Sequence, residues 1–416
     1  MLLESIISRE NMVEAFKRVK SNKGAAGVDG VEIEGFKTQL DATWDQVKTA
    51  ILEGSYRPQA VRRVEIPKPN GGIRLLGIPT LMDRLIQQAI GQELVKLYDG
   101  SFSAFSYGFR PNKSAHQAVV QAKEYVNAGY SHVVDLDLDQ FFDRVNHDYL
   151  MNLLSQRIED KRVLKLIHRY LRAGVMKDGI VQANTTGMPQ GGPLSPILSN
   201  ILLDVLDKEL ENRGHRFIRY ADDCSVYVKT KRAGERVMTS IRKFIEKELK
   251  LKVNMVKSAV TRPWKTKLLG YSFYLRKGER KLKIARESIR KYKDKIREIT
   301  SRSKPVAMYR RYELLRQLNV GWYNYFRLNE ARSIIVELDE WTRRRIRLCY
   351  WKQWKNAVTR IEMLEKLGTP HWIARQWGYT RKGYWRIANS PILNRSLNNN
   401  FLQKEGYLSL NDIGSR

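Results

Sequence analysis

Two adjacent carboxylates, Asp222 and Asp223, stand inside Arg219-Tyr220-Ala221-Asp222-Asp223-Cys224-Ser225, between the short apolar runs Phe217-Ile218 and Val226-Tyr227-Val228. Such a pattern reads as a tight β-hairpin with acids at its tip. Adjacent carboxylates repel each other, and a hard, oxygen-seeking Mg²⁺ relieves the repulsion where a phosphate substrate shares the site. An ordinary polar turn fits the same residues, because Asp favours turns through its own backbone hydrogen bonds. A second acidic stretch, His132-Val133-Val134-Asp135-Leu136-Asp137-Leu138-Asp139, alternates strictly. As a strand it puts Val134, Leu136 and Leu138 on one face and the three aspartates on the other, same-face neighbours lying roughly 6 to 7 Å apart. Three acids at a sheet edge can simply face solvent. Facing a cleft, they demand a divalent cation or a cationic substrate, and the apolar opposite face argues for a strand packed within a domain.

The elements that must position these acids are legible around them. Gly187-Met188-Pro189-Gln190-Gly191-Gly192-Pro193 is a turn in which Gly permits close backbone approach and Pro stiffens the loop. Ser195 and Pro196 then open a helix to about Glu211, as cap and first position. Arg62 to Ile78 reads as strand, turn, strand about Asn70-Gly71-Gly72. Lys68 and Arg74 flank that turn, suited to a triphosphate through a point charge and a bidentate guanidinium, though exposed hairpin cations are common. Thr80 and Asp83 form a capping-box variant at the start of a further helix. Apolar spacing predicts one or two amphipathic helices over 2–20, another over 115–128, and a helical pattern from Tyr149 to Ile158. Between them, Lys23-Gly24-Ala25-Ala26-Gly27-Val28-Asp29-Gly30 is either a connecting loop or a cradle of amides and lysine for a nucleic-acid backbone.

Composition narrows the partners. The 416 residues are too many for one ordinary core and suggest two or three domains, with 42% hydrophobic residues to fill them. A net charge of +31 is costly in self-repulsion unless the usual partner is a polyanion, and nucleic acid leads. Residues 276–416 hold 33 Lys+Arg against 13 Asp+Glu, and seven of the nine tryptophans. Two cysteines, Cys224 and Cys349, are too few for a zinc ribbon or a disulfide framework, which fits a reducing intracellular setting. No signal peptide and no membrane-length apolar run is apparent, so the expected location is the cytoplasm, with no membrane partner.

Asp137 with Phe142, then Pro-Gln-Gly-Gly-Pro-Leu-Ser-Pro at 189–196, then Tyr-Ala-Asp-Asp at 220–223 occur together and in this order. Taken jointly they resemble a reverse transcriptase, specifically the proteins encoded within bacterial group II introns, over essentially the whole chain. The resemblance implies an α+β right-hand polymerase: fingers and palm, an antiparallel sheet plus helices, over 1–275 with an N-terminal extension at 1–35, then an α-helical thumb and maturase domain over 276–416. It implies catalytic carboxylates at Asp137, Asp222 and Asp223, and a metal set of Asp137, Leu138, Asp222 and Asp223 for two Mg²⁺, or Mn²⁺. Asp135 and Asp139 are not required as ligands. Lys68 and Arg74 match residues that hold the incoming triphosphate, Phe142 one that lies beneath the sugar and excludes a 2′-hydroxyl, and Gln190 one near the nascent base pair. Lys257 matches a lysine near the leaving pyrophosphate, a possible proton donor, although a solvated surface lysine is the simpler reading. Residues 268–273 resemble the strand turn that grips the primer end.

The last third reads as long basic helices over 281–297, 303–327 and 335–355. Arg343-Arg344-Arg345-Ile346-Arg347-Leu348-Cys349-Tyr350-Trp351-Lys352-Gln353-Trp354-Lys355 mixes dense cations with stackable aromatics, which suits a helical thumb laid along a duplex. Trp322 and Trp341 are expected in the core. The candidate nucleic-acid contacts are Lys23, Arg63, Arg110, Arg343, Arg344, Arg345, Lys352 and Lys355. The segments 321–327 and 351–355 resemble the maturase region, and without the cysteine pairs of longer relatives no endonuclease is expected. The implied partners are an RNA template and DNA primer, deoxynucleoside triphosphates and group II intron RNA, with the chain a monomer or weak dimer. The implied function is RNA-directed DNA synthesis together with maturase assistance to splicing and intron mobility. Two alternatives carry the same motifs: a domesticated relative in DNA repair or phage defence, and a maturase used mainly as an RNA-binding splicing cofactor.

Overall fold

The computed structural model describes residues 1–67, 72–177, 180–182 and 185–415. It divides into two compact units, Met1–Arg262 and Pro263–Arg416. The first begins with α1 (Leu2–Ile6), α2 (Arg9–Ser21) and α3 (Ile33–Leu52), then β1 (Val61–Pro67), β2 (Ile73–Ile78), α4 (Leu81–Tyr98) and α5 (Ala115–Asn127). It continues with β3 (His132–Leu136), α6 (Phe141–Arg144), α7 (His147–Ser155), α8 (Lys161–Arg172), β4 (Val175–Lys177) and β5 (Ile180–Gln182). The unit ends with α9 (Ser195–Asn212), β6 (Arg216–Tyr220), β7 (Asp223–Val228), α10 (Lys231–Lys247) and β8 (Ala259–Thr261). Two four-stranded sheets result, ordered β2-β1-β4-β5 and β6-β7-β3-β8. The second is antiparallel throughout; the first has one parallel pair, β1 with β4.

In β3 the expected alternation holds: Val134, Leu136 and, just past the strand, Leu138 are buried in the main core. Their register partners Val226 and Cys224 belong to the same core. At the start of α4, Thr80 caps as expected, its side chain accepting from Asp83 N at 3.1 Å and donating to Asp83 Oδ2 at 2.8 Å. The second unit opens with the hairpin of β9 (Tyr271–Arg276) and β10 (Glu279–Ile284). This corrects the expected helix from 281: Leu282 and Ile284 are buried at period two, and the helix α11 (Arg286–Ile299) starts only after them. Then follow α12 (Met308–Tyr325), α13 (Arg332–Gln353), α14 (Ala357–Lys366), α15 (His371–Gly378), α16 (Tyr384–Ile387), α17 (Pro391–Ser396), α18 (Asn399–Lys404) and α19 (Leu410–Gly414). Its fully buried tryptophans are Trp351 and Trp354. Trp341 is instead half-buried, with Lys293 and Arg297 each 5.5 Å from its ring centre, and Trp322 is half-buried against Tyr292 and Phe326.

What fixes the acidic hairpin of the first unit is a buried ion pair. Arg219 and Asp207, both 0% exposed, meet fork to fork: Nε lies 2.8 Å from Asp207 Oδ1 and Nη2 lies 2.7 Å from Oδ2. The remaining guanidinium hydrogens go to Asn200 Oδ1 at 2.9 Å, the Ala221 carbonyl at 3.0 Å and Ser106 Oγ at 2.7 Å. Asn200 in turn donates to the Gly108 carbonyl at 2.9 Å. Burial pushes the Asp207 carboxyl up and also opposes the Arg219 charge, but at Arg219 the Asp207 charge and hydrogen bonds win and hold the guanidinium above its usual range. Gly108 presses its backbone on the turn itself, where a Cβ would collide with the Ala221 amide. Asp207→Asn is therefore expected to cost about 3–5 kcal/mol in urea denaturation, by stranding a buried cation. The double variant Arg219→Met/Asp207→Leu should lose less than Asp207→Asn alone; a neutral single variant would show that the pair does not hold the hairpin.

Candidate functional site

β6 and β7 pair antiparallel with Tyr220 opposite Asp223, leaving Ala221 and Asp222 as a two-residue turn. Ala221 sits at φ +57, a conformation that costs an L-residue about 1 kcal/mol and is held by the Arg219 bond to its carbonyl. On the other side of β7, β3 pairs with Leu136 opposite Cys224. The pairing ends there: Asp137 is the next residue after Leu136 on β3, and Asp223, the first residue of β7, is the neighbour of Cys224. The acids separated by 85 positions in the chain thus end adjacent strands at one edge of the sheet. Leu138 forms an isolated bridge with Val253, flanked by Asn254 N to Asp137 O and Asp139 N to Lys252 O, each 2.8 Å. In that pairing its own carbonyl turns the opposite way, toward the side on which β7 runs.

Exposure separates the carboxylates. Asp137 and Asp222 are half-buried and Asp223 is exposed. Asp135 accepts from Ser225 Oγ at 2.7 Å across the β3–β7 pair, and Asp139 pairs with Arg144 at 3.0 Å, so neither is needed at the sheet end. Lys257 Nζ lies 3.8 Å from Asp137 Oδ1, and its side chain is 64% exposed. Among the described residues no three Asp, Glu, His or Cys side chains converge closely enough to hold a metal ion. The three carboxylates are hard oxygen donors, the chemistry a divalent cation takes, and the Lys257 ammonium lies beside one of them.

Behind the acids runs the glycine-rich loop. Met188 N donates to the Phe142 carbonyl at 2.6 Å, tying the loop to the segment that carries Phe142, while Gly77 N donates to the Gln190 carbonyl at 2.7 Å, tying it to β2. Gly191, at φ +116, passes so close that a Cβ would lie 2.8 Å from the Gly77 carbonyl. Gln190 and Arg63 line one cavity of about 410 Å³ there, together with Gln140, Asp143 and Met188. Arg63 Nε is buried and has no hydrogen-bond partner among the described residues. Phe142 is half-buried, edge-on to Phe141 at 5.1 Å. Arg74 is exposed on β2, opposite Ile66. Lys68, together with the Asn70-Gly71 turn, lies outside the described residues.

Several expected nucleic-acid contacts sort differently. Lys23 is exposed at φ +43, in a loop braced by Arg84, which donates to the Ala25 carbonyl. Arg110 does not face solvent: its side chain is 6% exposed, paired with Asp99 at 2.7 Å and hydrogen bonded to the Ser103 carbonyl at 2.6 Å. Arg345 likewise caps the end of α11, donating to Thr300 Oγ1 at 2.9 Å and Thr300 O at 3.1 Å. Arg344 stacks 3.8 Å from the Trp385 ring centre and donates to that residue's carbonyl. Arg343 is half-buried, whereas Lys352 and Lys355 are exposed as expected. Residues 268–273 form a tight turn pinned by Tyr271 Oη to the Tyr325 carbonyl at 2.5 Å and Tyr325 Oη to the Leu269 carbonyl at 3.0 Å. Sequence reasoning missed Arg219, Asp207, Asn200 and Gly108. The available signal was a charged residue inside the apolar run Phe217-Ile218-Arg219, which demands a buried partner.

Known proteins give the site its context. The model of the reverse transcriptase (RNA-dependent DNA polymerase) family matches residues 66–273, and that of the group II intron, maturase-specific domain matches 289–368. Protein YkfC of Escherichia coli is 34% identical over 62% of this chain and 78% of its own length. The putative COX1/OXI3 intron 2 protein of Saccharomyces cerevisiae is 37% identical over 48% of this chain, and the group II intron-encoded protein LtrA of Lactococcus lactis 36% over 47%. Of those two longer relatives the matched parts span 23% and 32%. Reverse transcriptases use divalent metal ions and act on nucleic acid, and among the described residues no helix is long and apolar enough to cross a membrane. With one model covering half of the chain and the maturase model following it, this protein belongs to the reverse transcriptase family, the RNA-directed DNA polymerases, in the branch encoded by group II introns.

Proposed function

We propose that the chain extends a DNA primer on an RNA template with deoxynucleoside triphosphates, using Asp137, Asp222 and Asp223 as its catalytic carboxylates, and that it binds group II intron RNA as a maturase. The observation that supports this reading is that the β3–β7 pairing ends at Leu136 opposite Cys224, so that Asp137 follows directly on one strand and Asp223, next to the Ala221-Asp222 turn, precedes directly on the other. Asp137, Asp222, Asp223 and the Leu138 carbonyl would hold two Mg²⁺, or Mn²⁺. When bound, these cations supply Lewis acidity at the primer 3′-hydroxyl and the α-phosphate and neutralise charge on the pyrophosphate.

The remaining roles fall to the chain's own groups. Arg74, with Lys68, binds the β and γ oxygens; Gln190 lies along the nascent base pair, and Arg63, which lines the same cavity, adds its charge beside the nucleic acid. Phe142, tied through its carbonyl to Met188, presents a ring that leaves no room for a 2′-hydroxyl. Lys257 sits beside Asp137 with its ammonium exposed, placed to give a proton to the departing pyrophosphate. The domain boundary in this reading lies near 275, so that the hairpin of β9 and β10 straddles the end of the palm and the start of the thumb.

Asp222→Asn should abolish primer extension on an RNA template while leaving RNA affinity within a few-fold; near-normal extension would end the assignment. For Phe142→Ala, misincorporation of ribonucleotides should rise at least about tenfold in single-nucleotide extension, the steric term for one excluded hydroxyl being of that order. Unchanged sugar discrimination would remove Phe142 from the gate. Affinity for RNA should fall steeply with salt, because cations displaced from the phosphates dominate binding to so basic a chain; a flat salt titration would contradict the reading.

A further inference from the structure

In the second unit, α13 and the segment from Asn389 to Asn400 border an open cavity of about 590 Å³ at the surface, lined by Arg343, Arg347, Glu340 and five asparagines. Its floor holds an unusual group. Arg347 is 7% exposed, yet among the described residues its one hydrogen-bond acceptor is the Leu397 carbonyl, 3.0 Å from Nε. Among the described residues neither it nor Arg343 makes an ion pair, the Arg343 charge being felt only at a distance by Asp339, although the same unit pairs Lys281 with Glu279 and Glu330. A guanidinium has five donors, and a buried one normally meets a carboxylate fork, as Arg219 does. Here the side chain lines the cavity instead, with Nε alone hydrogen bonded among the described residues. Burial, reinforced by the neighbouring Arg343 charge, pulls the Arg347 pKa down to about 10, so the group remains a cation at neutral pH with no anion to answer it.

The asparagines divide by what they already bind. Asn398 is committed to Phe401 N at 2.9 Å and the Arg395 carbonyl at 3.2 Å. Asn389, Asn399 and Asn400 are exposed, and among the described residues their side-chain amides bond to no protein group. Each offers both a donor and an acceptor, the combination that reads a ribose hydroxyl or a base edge. Glu340, the one acid in the lining, is exposed. No aromatic side chain lines the cavity, so it has no stacking platform for a free nucleotide, and a site of this volume accepts a group the size of one nucleotide.

We propose that this cavity is an RNA-binding site, separate from the polymerase acids, that seats one backbone phosphate of an unpaired RNA segment on Arg347 and Arg343 while the asparagine amides read the adjoining ribose and base. An unpaired segment is required because in an A-form duplex the Watson–Crick edges are taken up by pairing and the remaining edges lie along a broad, shallow minor groove, whereas a base splayed from an unpaired segment can enter a concave site. The proposal rests on the reading that this chain binds RNA. It adds a defined anchor, with 2′-hydroxyl preference, to a surface otherwise described only by its charge.

The test measures binding of the full chain to a single-stranded RNA, the DNA of the same sequence and a duplex RNA, across a salt series. Arg347→Met should weaken single-stranded RNA binding about tenfold and reduce the salt slope by about 0.7, one phosphate contact on a single strand. Because Arg347 is buried, Asn399→Asp serves beside it: a carboxylate at the first residue of α18 suits that helix end, so folding is retained while the cavity gains a negative charge. It should weaken the same RNA at least about fivefold, and Asn399→Lys should strengthen it. Duplex RNA should be affected by neither substitution. Equal losses on RNA and DNA, equal losses on duplex, or wild-type affinity in both Arg347→Met and Asn399→Asp would each overturn the site. Wild-type primer extension, run in parallel, tests the polymerase reading by itself.

Discussion

The salt bridge between Arg219 and Asp207 is the constraint on which the acidic end of the sheet depends. Two carboxylates at a hairpin tip, three and four residues beyond an arginine, would in an isolated peptide be free to pair with that arginine and be lost as ligands. Strand geometry and Asp207 together prevent this. Arg219 stands opposite Cys224, whose side chain is buried, and so points inward, whereas Asp223 is exposed. Asp207 then neutralises the guanidinium inside the protein, and the spare donors hold the Ala221 carbonyl and, through Asn200, the Gly108 carbonyl. Arg219 is thereby withdrawn from the acids at the tip, as a cation-binding edge requires. Such a pair is not a bargain in stability, since burying both ions costs several kcal/mol each before their attraction is counted. What it supplies is one fixed geometry at the turn.

The rest of the first unit brings separate parts of the chain to that edge by backbone contact rather than by side-chain packing. The glycine-rich loop bonds to Phe142 on one side and to Gly77 of β2 on the other. Its glycines leave no volume between those strands, so the side chains of Gln190 and Arg63 meet in the cavity that remains. A loop held at both ends in this way cannot shift without moving β2 and the Phe142 segment with it.

The residues that were legible in advance are those whose periodicity has one solution. Strict alternation at 132–139 could only place Val134, Leu136 and Leu138 inward, and two apolar runs about Ala221-Asp222 could only be a hairpin. Asp207 was illegible because its partner is in another element: α9 carries four acids and β6 two arginines, and the sequence does not say which of them are buried against each other. Arg110 and Arg345 misled for a related reason. Charge is visible in sequence, but the carbonyls of Ser103 and Thr300 that consume it are not. At 281–284 a lysine-rich stretch carried both periodicities, and the alternation of Leu282 and Ile284 prevailed because β9 offered edge hydrogen bonds that a helix start could not use.

The arginines of the second unit show where its excess charge goes. Arg311 donates to the carbonyls of Ser301, Lys304 and Val306, Arg345 to Thr300, Arg344 to Trp385 and Arg347 to Leu397. Each of these bonds satisfies a donor without cancelling a charge, because a carbonyl is a dipole and not an anion. With 33 basic residues against 13 acidic ones in residues 276–416, carboxylates could not have served all of them. Helix ends and loop carbonyls therefore fix the geometry, while the monopoles remain and add to a field that reaches beyond the surface. Neutralisation is thereby deferred to a polyanion, and the cost of assembling so many like charges is recovered only when it binds. In this unit the same arginines that complete the hydrogen bonding of the fold leave its electrostatics incomplete, and that pairing of local satisfaction with global deficit suits a domain that must hold its shape alone and still attract RNA strongly.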